Sequence, residues 1–254
     1  MSPEVTAVIT THGRPLRVQE ALASLRAETH RDVEVVVVVD DAGLGVDHAR
    51  NRGLASARGE FVIFLDDDDI ALPHRISLLL AAARRHGASL CFGMTRRRVD
   101  GTSEKLECVP THAPEAGPVG FSDLLACAPH VNAVLVRTEA LRDVGGFDTG
   151  AKHFDDWSAW LRIADRNAVM WKIADTVAEW RIHPAGLSAS ILQTRAMKDR
   201  LLALFDHLQS SLSKENARAL AEARRLVAAA DIVTYDDYAS MMAERVGFEP
   251  TVRF

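Results

Sequence analysis

Four consecutive carboxylates, Asp66-Asp67-Asp68-Asp69, stand directly behind a run of five apolar residues, Phe61-Val62-Ile63-Phe64-Leu65. Adjacent aspartates repel one another and resist burial unless water or a cation faces them. Hard divalent cations such as Mg²⁺ and Mn²⁺ take carboxylate oxygens together with substrate phosphates. Asp66 and Asp68, two residues apart, are therefore candidates to approach one ion across a tight turn. A solvated acidic turn is the competing reading, and it is the ordinary fate of a charge run. The apolar run in front of the cluster favours a site. Five continuous apolar residues call for a strand covered on both faces, and ligands of open α/β sheets bind beyond the carboxyl ends of such strands.

Two further groups have side chains suited to chemistry. Asp155-Asp156 opens a helical pattern that carries Trp157 and Trp160. A helix N-terminus favours carboxylates, and a charged neighbour beside an apolar wall can tune one of them into a general base. Simple helix capping by either residue is the alternative. Later comes Trp180-Arg181-Ile182-His183-Pro184. Here a neutral imidazole can complete a metal shell and Arg181 can meet a phosphate, although a single histidine is more often structural.

The elements that must position these groups read as strand, helix, strand, helix, strand. Val5 to Thr10 is a strand, Thr11 to Pro15 a polar turn, and Pro15 to about Ala27 a helix with proline at its start. Val33 to Val39 reads as a second buried strand, again ending in acid, Asp40 and Asp41, and 47–57 as a helix with Asp available as N-cap. With the third strand at Phe61, this order predicts a parallel, Rossmann-like sheet. Beyond it the pattern predicts a helix from Leu72-Pro73 to about Arg85 and a strand over 89–94. Asp100-Gly101 signals a hairpin within 92–108. Short elements follow at 122–127, 132–136, 138–144, 155–166 and 168–173, and the proline-rich and glycine-rich stretch from Pro110 to Gly120 is the best candidate for a mobile loop. The acidic turn itself is expected to use Asp69 as a cap. Leu, Ala and Met at helical spacing predict two long amphipathic helices, 190–207 and 214–245, which pack on the sheet or form an oligomer contact.

Composition bounds the function classes. At 254 residues and 48% apolar, the chain can bury a full core. Its net charge of −5 argues against a nucleic-acid-binding surface. Cys91, Cys108 and Cys127 form neither a zinc spacing nor an even disulfide framework, which fits a reducing cytosol. No stretch approaches the roughly 18 apolar residues of a membrane span, so a cytoplasmic protein is expected, peripheral at the membrane if its acceptor is lipid-linked.

Taken in order, Val8-Ile9-Thr10-Thr11, Val38-Val39-Asp40-Asp41, Ala49-Arg50-Asn51-Arg52-Gly53 through Arg58-Gly59-Glu60, and Leu65-Asp66-Asp67-Asp68-Asp69-Ile70-Ala71-Leu72-Pro73 resemble the family 2 glycosyltransferases of the GT-A fold. Gly145-Gly146-Phe147-Asp148, Asp155-Asp156-Trp157 and Arg181-Ile182-His183-Pro184 continue the pattern, which covers roughly residues 4 to 190. The resemblance implies an α/β chain with a mostly parallel central sheet flanked by helices. It implies a GT-A domain over 1–190, with a nucleotide-sugar half (1–94) and an acceptor and catalytic half (95–190), and a helical C-terminal segment over 191–254. The implied reaction is an inverting, Mn²⁺- or Mg²⁺-dependent transfer from a UDP-, dTDP- or GDP-sugar; no motif reads out the acceptor.

Residue by residue, the resemblance places Asp68, Asp66 and His183 on the metal, and Asp156, with Asp155 in the usual Glu position, as the base. It places Thr10, Thr11, His12, Arg14, Asp40, Asp41, Arg50, Asp66, Asp67 and Arg181 about the nucleotide sugar, with Asp67 toward the ribose. The chain departs from the family by joining Asp41 to Ala49 through only seven residues, which trims the nucleotide pocket on one side. A sugar nucleotidyltransferase and a catalytically silent protein of the same fold are the rival readings. Thr10 to Pro15 has one Gly and one Arg where a triphosphate loop needs more, and intact carboxylates at all three places speak against a silent protein.

Overall fold

The computed structural model describes residues 2–102, 105–109, 115–151, 154–183, 197–230, 232 and 234–246, with backbone alone at 105–109. Among the described residues nine strands form one sheet: β1 (Val5–Thr11), β2 (Val33–Val39), β3 (Phe61–Asp66), β4 (Ile70–Ala71), β5 (Leu90–Val99), β6 (Lys105–Val109), β7 (Gly117–Pro118), β8 (Val134–Arg137) and β9 (Met170–Ile182). Their order is β2-β1-β3-β8-β5-β9-β4, with β6 on β5 and β7 on β9. The five long strands β2, β1, β3, β5 and β9 share one direction, and the short ones run against them. The sheet is thus mixed but mostly parallel, with helices on both faces.

The strand before the acidic turn shows why that run is wholly apolar. Phe61, Ile63 and Leu65 enter one core with α1 (Pro15–Arg26) and α3 (Arg75–His86). Val62 and Phe64 enter the other, beneath α2 (Val46–Ser56), α4 (Phe121–Ala126) and α6 (Asp155–Asp165). A strand filled on both faces has no polar position to offer. Gly53 brings α2 onto β1: a Cβ there would stand 2.3 Å from Cγ1 of Val8.

Four expectations are corrected. β2 is the edge of the sheet, not a buried strand; only Val38 is buried, while Val35, Val37 and Val39 remain 40–43% exposed. α2 covers one face of it, and α1 packs over β1 and β4 instead of the other. The final strand runs to Ile182, far beyond 173. Its apolar pattern breaks at Asp175 and Thr176, where the pairing with β5 shifts register and Gly93 lets the carbonyl of Asp175 approach. The single helix expected over 214–245 is two, α8 (Lys214–Ala229) and α9 (Tyr235–Val246). Thr234 starts the second with a reciprocal cap: Asp237 N–H donates to Thr234 Oγ1 at 3.1 Å, and Thr234 N–H to Asp237 Oδ2 at 2.7 Å. Finally, Val131–Ala133 form a 3₁₀ turn where the strand was expected to begin, before β8; the helix expected next is α5 (Thr138–Asp143), which ends ahead of Gly145-Gly146 as expected. Of the expected loop over 110–120, residues 110–114 lie outside the described residues, as do 190–196 of the first C-terminal helix; the described part of that helix is α7 (Met197–Leu208).

α7, α8 and α9 do not stand apart. Met197, Leu201, Phe205, Leu220, Val227, Tyr238 and Met242 belong to the same buried cluster as Trp157 and Trp160. Tyr238 donates its hydroxyl to the carbonyl of Leu125. The back of α6, whose front carries Asp155 and Asp156, is therefore built from the C-terminal helices.

Candidate active site

The sheet delivers β1, β3 and β9 to one edge, and the acidic turn sits where they end. Thr10 pairs with Asp66 across β1 and β3, and its hydroxyl donates to Asp66 Oδ1 at 3.2 Å. Thr11 donates to Asp67 Oδ2 at 2.5 Å. The aspartates of the run then divide among several partners, Arg14 serving two of them. Asp66 accepts from Arg50 Nη2 on both oxygens, at 2.9 and 3.0 Å. Burial alone would raise its pKa, but Arg50 brings it below the usual carboxylate value. Asp67 is fully buried and held by Thr11 and Arg14; burial outweighs these partners and raises its pKa. Asp68 Oδ2 receives Arg14 Nη1 at 2.8 Å and lies 3.0 Å from His183 Nε2.

Asp69 is not the turn cap expected of it. It is buried, accepts from the Arg181 backbone N–H at 2.8 Å and from Asn132 Nδ2, and ties β9 to the turn. Burial first, then the charges of Asp68 and Asp66, push its pKa well up.

The second carboxylate pair arrives at the same place through Arg50. This buried guanidinium spans Asp66 and Asp155, giving Nη1 to Asp155 Oδ2 at 2.8 Å, and lies over the Phe147 ring with Cζ 5.6 Å from its centroid. Its charge is fixed by the two acids against the cost of burial. Asp156, beside Asp155 in the first turn of α6, accepts from Val131 N–H at 3.2 Å and from Trp157 N–H at 2.7 Å. Burial, then the neighbouring charge of Asp155, raise its pKa to about 7. A carboxyl poised there exchanges protons at neutral pH, which suits a general base.

Several partners in this arrangement carry no motif. The turn Val131-Asn132 is the main one. Val131 binds Asp156, Asn132 Oδ1 accepts the Asp66 N–H at 3.1 Å, and its Nδ2 binds Asp69, so two consecutive residues register both acidic groups. A lone amide inside the apolar stretch Val131–Val136 was the only sequence signal. His130 stacks on Trp180 with centroids 5.0 Å apart, and burial lowers its pKa to about 4, so the ring is neutral. Asn51 reads both backbone groups of Phe147, donating to its carbonyl at 2.7 Å and accepting its N–H at 2.8 Å. Gly146 at φ +74° permits that contact, since a Cβ would stand 2.4 Å from Asn51 Oδ1.

Other expected site residues are engaged internally. The two oxygens of Asp40 accept the N–H groups of Leu44 and Gly45 at 3.0 and 2.9 Å, which hold the shortened loop before α2 and lower its pKa. His12 donates from Nδ1 to the Asp40 carbonyl at 2.8 Å, with its ring exposed, and Asp41 is exposed. Arg181 directs its guanidinium to the carbonyl of Asp68 and to Glu20, away from open solvent.

Donor chemistry for a cation falls in two places. Among the described residues, ligand atoms of Asp66, Asp69 and His130 lie within 4.8 Å of one another. That triplet is already threaded by Arg50, Asn132 and the Arg181 N–H. The second place is Asp68 with His183, a carboxylate oxygen and an imidazole nitrogen that suit Mn²⁺. Their 3.0 Å separation matches two ligands at about 2.1 Å and right angles on one octahedral ion.

Comparison with known proteins bears on the fold. The sequence model of glycosyl transferase family 2 matches residues 41–116. An uncharacterized glycosyltransferase of Nostoc sp. is 25% identical over 219 residues, 72% of this chain and 66% of that protein. The chain spans about two thirds of the length of this and of a similar Rickettsia prowazekii relative. Among solved structures, S. aureus TarS superposes with a TM-score of 0.65 at 20% identity, covering 88% of this chain and 43% of that one. Its 1–349 form in complex with UDP-GlcNAc gives 0.61 at 17% identity, over 96% and 92%. The mannosyltransferase PcManGT from Pyrobaculum calidifontis, in complex with GDP-Man and Mn²⁺, gives 0.58 at 17%, over 100% and 77%. At these identities the structural neighbours establish the fold.

Proposed function

We propose that the chain, which has the GT-A fold and matches the sequence model of glycosyl transferase family 2 over residues 41–116, transfers a sugar from a nucleoside-diphosphate donor to an acceptor hydroxyl in one inverting displacement. Asp156 is the base in this reading. The observation that carries it is the Val131-Asn132 turn, which joins Asp156 to Asp66 and Asp69, so that a carboxyl titrating at about 7 faces the acidic turn at the strand ends. Asp156 takes the proton as the acceptor oxygen attacks the anomeric carbon, and the C–O bond to the diphosphate breaks on the opposite face. Arg50 keeps Asp66 ionised and holds Asp66 and Asp155 in register, and the charge of Asp155, after burial, holds the Asp156 proton affinity up. A divalent cation, Mn²⁺ or Mg²⁺, held by Asp68 and His183 would neutralise charge growing on the leaving diphosphate. The exposed His12 and Asp41 at the loop tips are the residues free to meet the nucleoside.

The neighbours in complex with UDP-GlcNAc and with GDP-Man and Mn²⁺ support a uridine or guanosine donor. Thermal melting with UDP, GDP and dTDP, each with and without Mn²⁺, tests this directly. At a hundredfold excess over Kd, the matching nucleotide adds about 2.7 kcal/mol by mass action. The reading fails if no nucleotide raises the midpoint with or without Mn²⁺.

A further inference from the structure

One side chain neutralises the open side of the acidic turn. Arg14, in the loop between β1 and α1, donates from Nε to Asp67 Oδ2 at 3.1 Å and from Nη1 to Asp68 Oδ2 at 2.8 Å, and pairs Nη2 with Asp67 Oδ1. The oxygen it takes on Asp68 is the one that lies 3.0 Å from His183 Nε2. Arg14 therefore occupies the ligand position assigned above to a divalent ion.

The three arginines around the turn differ in freedom. Arg50 and Arg181 are 5% exposed and spanned by partners on several elements. The Arg14 side chain is 38% exposed, and among the described residues its guanidinium meets Asp67 and Asp68. It follows Gly13, whose φ is +68° and beside which a Cβ would meet nothing within 4 Å, so the loop has room on its outer side. A guanidinium and a dication cannot share one carboxylate oxygen without strong repulsion.

We propose that Arg14 is an exchangeable counter-ion: it holds Asp68 in the free protein, leaves as the divalent ion enters, and turns its guanidinium to the donor diphosphate. The proposal rests on the assignment of the ion to Asp68 and His183. It makes ion and nucleotide mutually dependent. The ion alone must displace Arg14 without compensation, whereas a diphosphate arriving with it offers the displaced guanidinium a bidentate partner.

Mn²⁺ binding, followed by the electron paramagnetic resonance signal of the free ion, tests this without turnover. Wild type, Arg14→Ala and Arg14→Lys are titrated with Mn²⁺ alone and with Mn²⁺ plus the nucleoside diphosphate that stabilises the wild type most, circular dichroism verifying the fold of each. Arg14→Ala is expected to bind Mn²⁺ alone about tenfold more tightly than wild type and to lose most of the enhancement given by the diphosphate, with Arg14→Lys between. Equal affinity of wild type and Arg14→Ala for Mn²⁺ alone, with both binding, overturns the exchange and leaves the ion site standing. Absence of Mn²⁺ binding in every protein, with and without diphosphate, overturns the ion site and the exchange together.

Discussion

At the scale of single residues, Asp156 makes the sharpest demand on experiment. A base must be unprotonated, so kcat/KM should rise with pH and level off above about 7, following the raised pKa of this carboxyl. Asp156→Asn should remove that dependence and lower turnover by about 10²- to 10⁴-fold, with nucleotide affinity kept. The same shift predicts an opposite effect on stability. A carboxyl with a folded pKa above its unfolded one contributes stability that is full below about pH 4 and lost as pH rises through about 7. Asp156→Asn should therefore be more stable than wild type at pH 8, by about 1–3 kcal/mol in urea unfolding, and about equal to it at pH 4. The acidic run was legible because acids behind an apolar strand have few uses, whereas Arg50 was placed beside it by the family resemblance alone and His183 by its own motif together with that resemblance. Asn132, His130 and Asn51 were not legible, because their roles depend on which loops meet, and a lone amide or imidazole looks the same in a core as in a site.

At the scale of elements, close approach decides more than periodicity does. Gly53 lets α2, which carries Arg50 and Asn51, lie against Val8 of β1. Gly53→Ala should lift that helix, cost about 1–3 kcal/mol in urea unfolding and reduce turnover as Arg50 leaves Asp66. The strands and helices through β3 were readable since their apolar runs are continuous and their stops are glycine, proline or acid. β4 was missed because two residues cannot show a period, and β9 was cut short because its bulge at Asp175 interrupts alternation. The break between α8 and α9 is a local matter of the Thr234 and Asp237 cap, and neither side of it loses its helical spacing, so the pattern read straight through.

At the scale of the whole molecule, α6, the helix that carries Asp155 and Asp156, depends on distant chain. Trp157 meets Phe205 and Tyr238 with ring centroids 6.0 and 5.6 Å apart, and these belong to α7 and α9. A chain ending at residue 196 should expose this aromatic face, bind a hydrophobic dye such as ANS, and lose the cooperative thermal transition of the full chain. The open border of the sheet carries a different consequence. Five consecutive valines, Val35 to Val39, form its outermost strand, with one face bare and no described strand beyond it. Such a ribbon, bounded only by Glu34 and Asp40, is a template on which a second molecule can add strand to strand and seed aggregates, especially at high concentration or during refolding. Val37→Lys places a charge on the bare face and leaves the side toward α2 untouched. It should raise the concentration at which light scattering begins without altering the thermal midpoint.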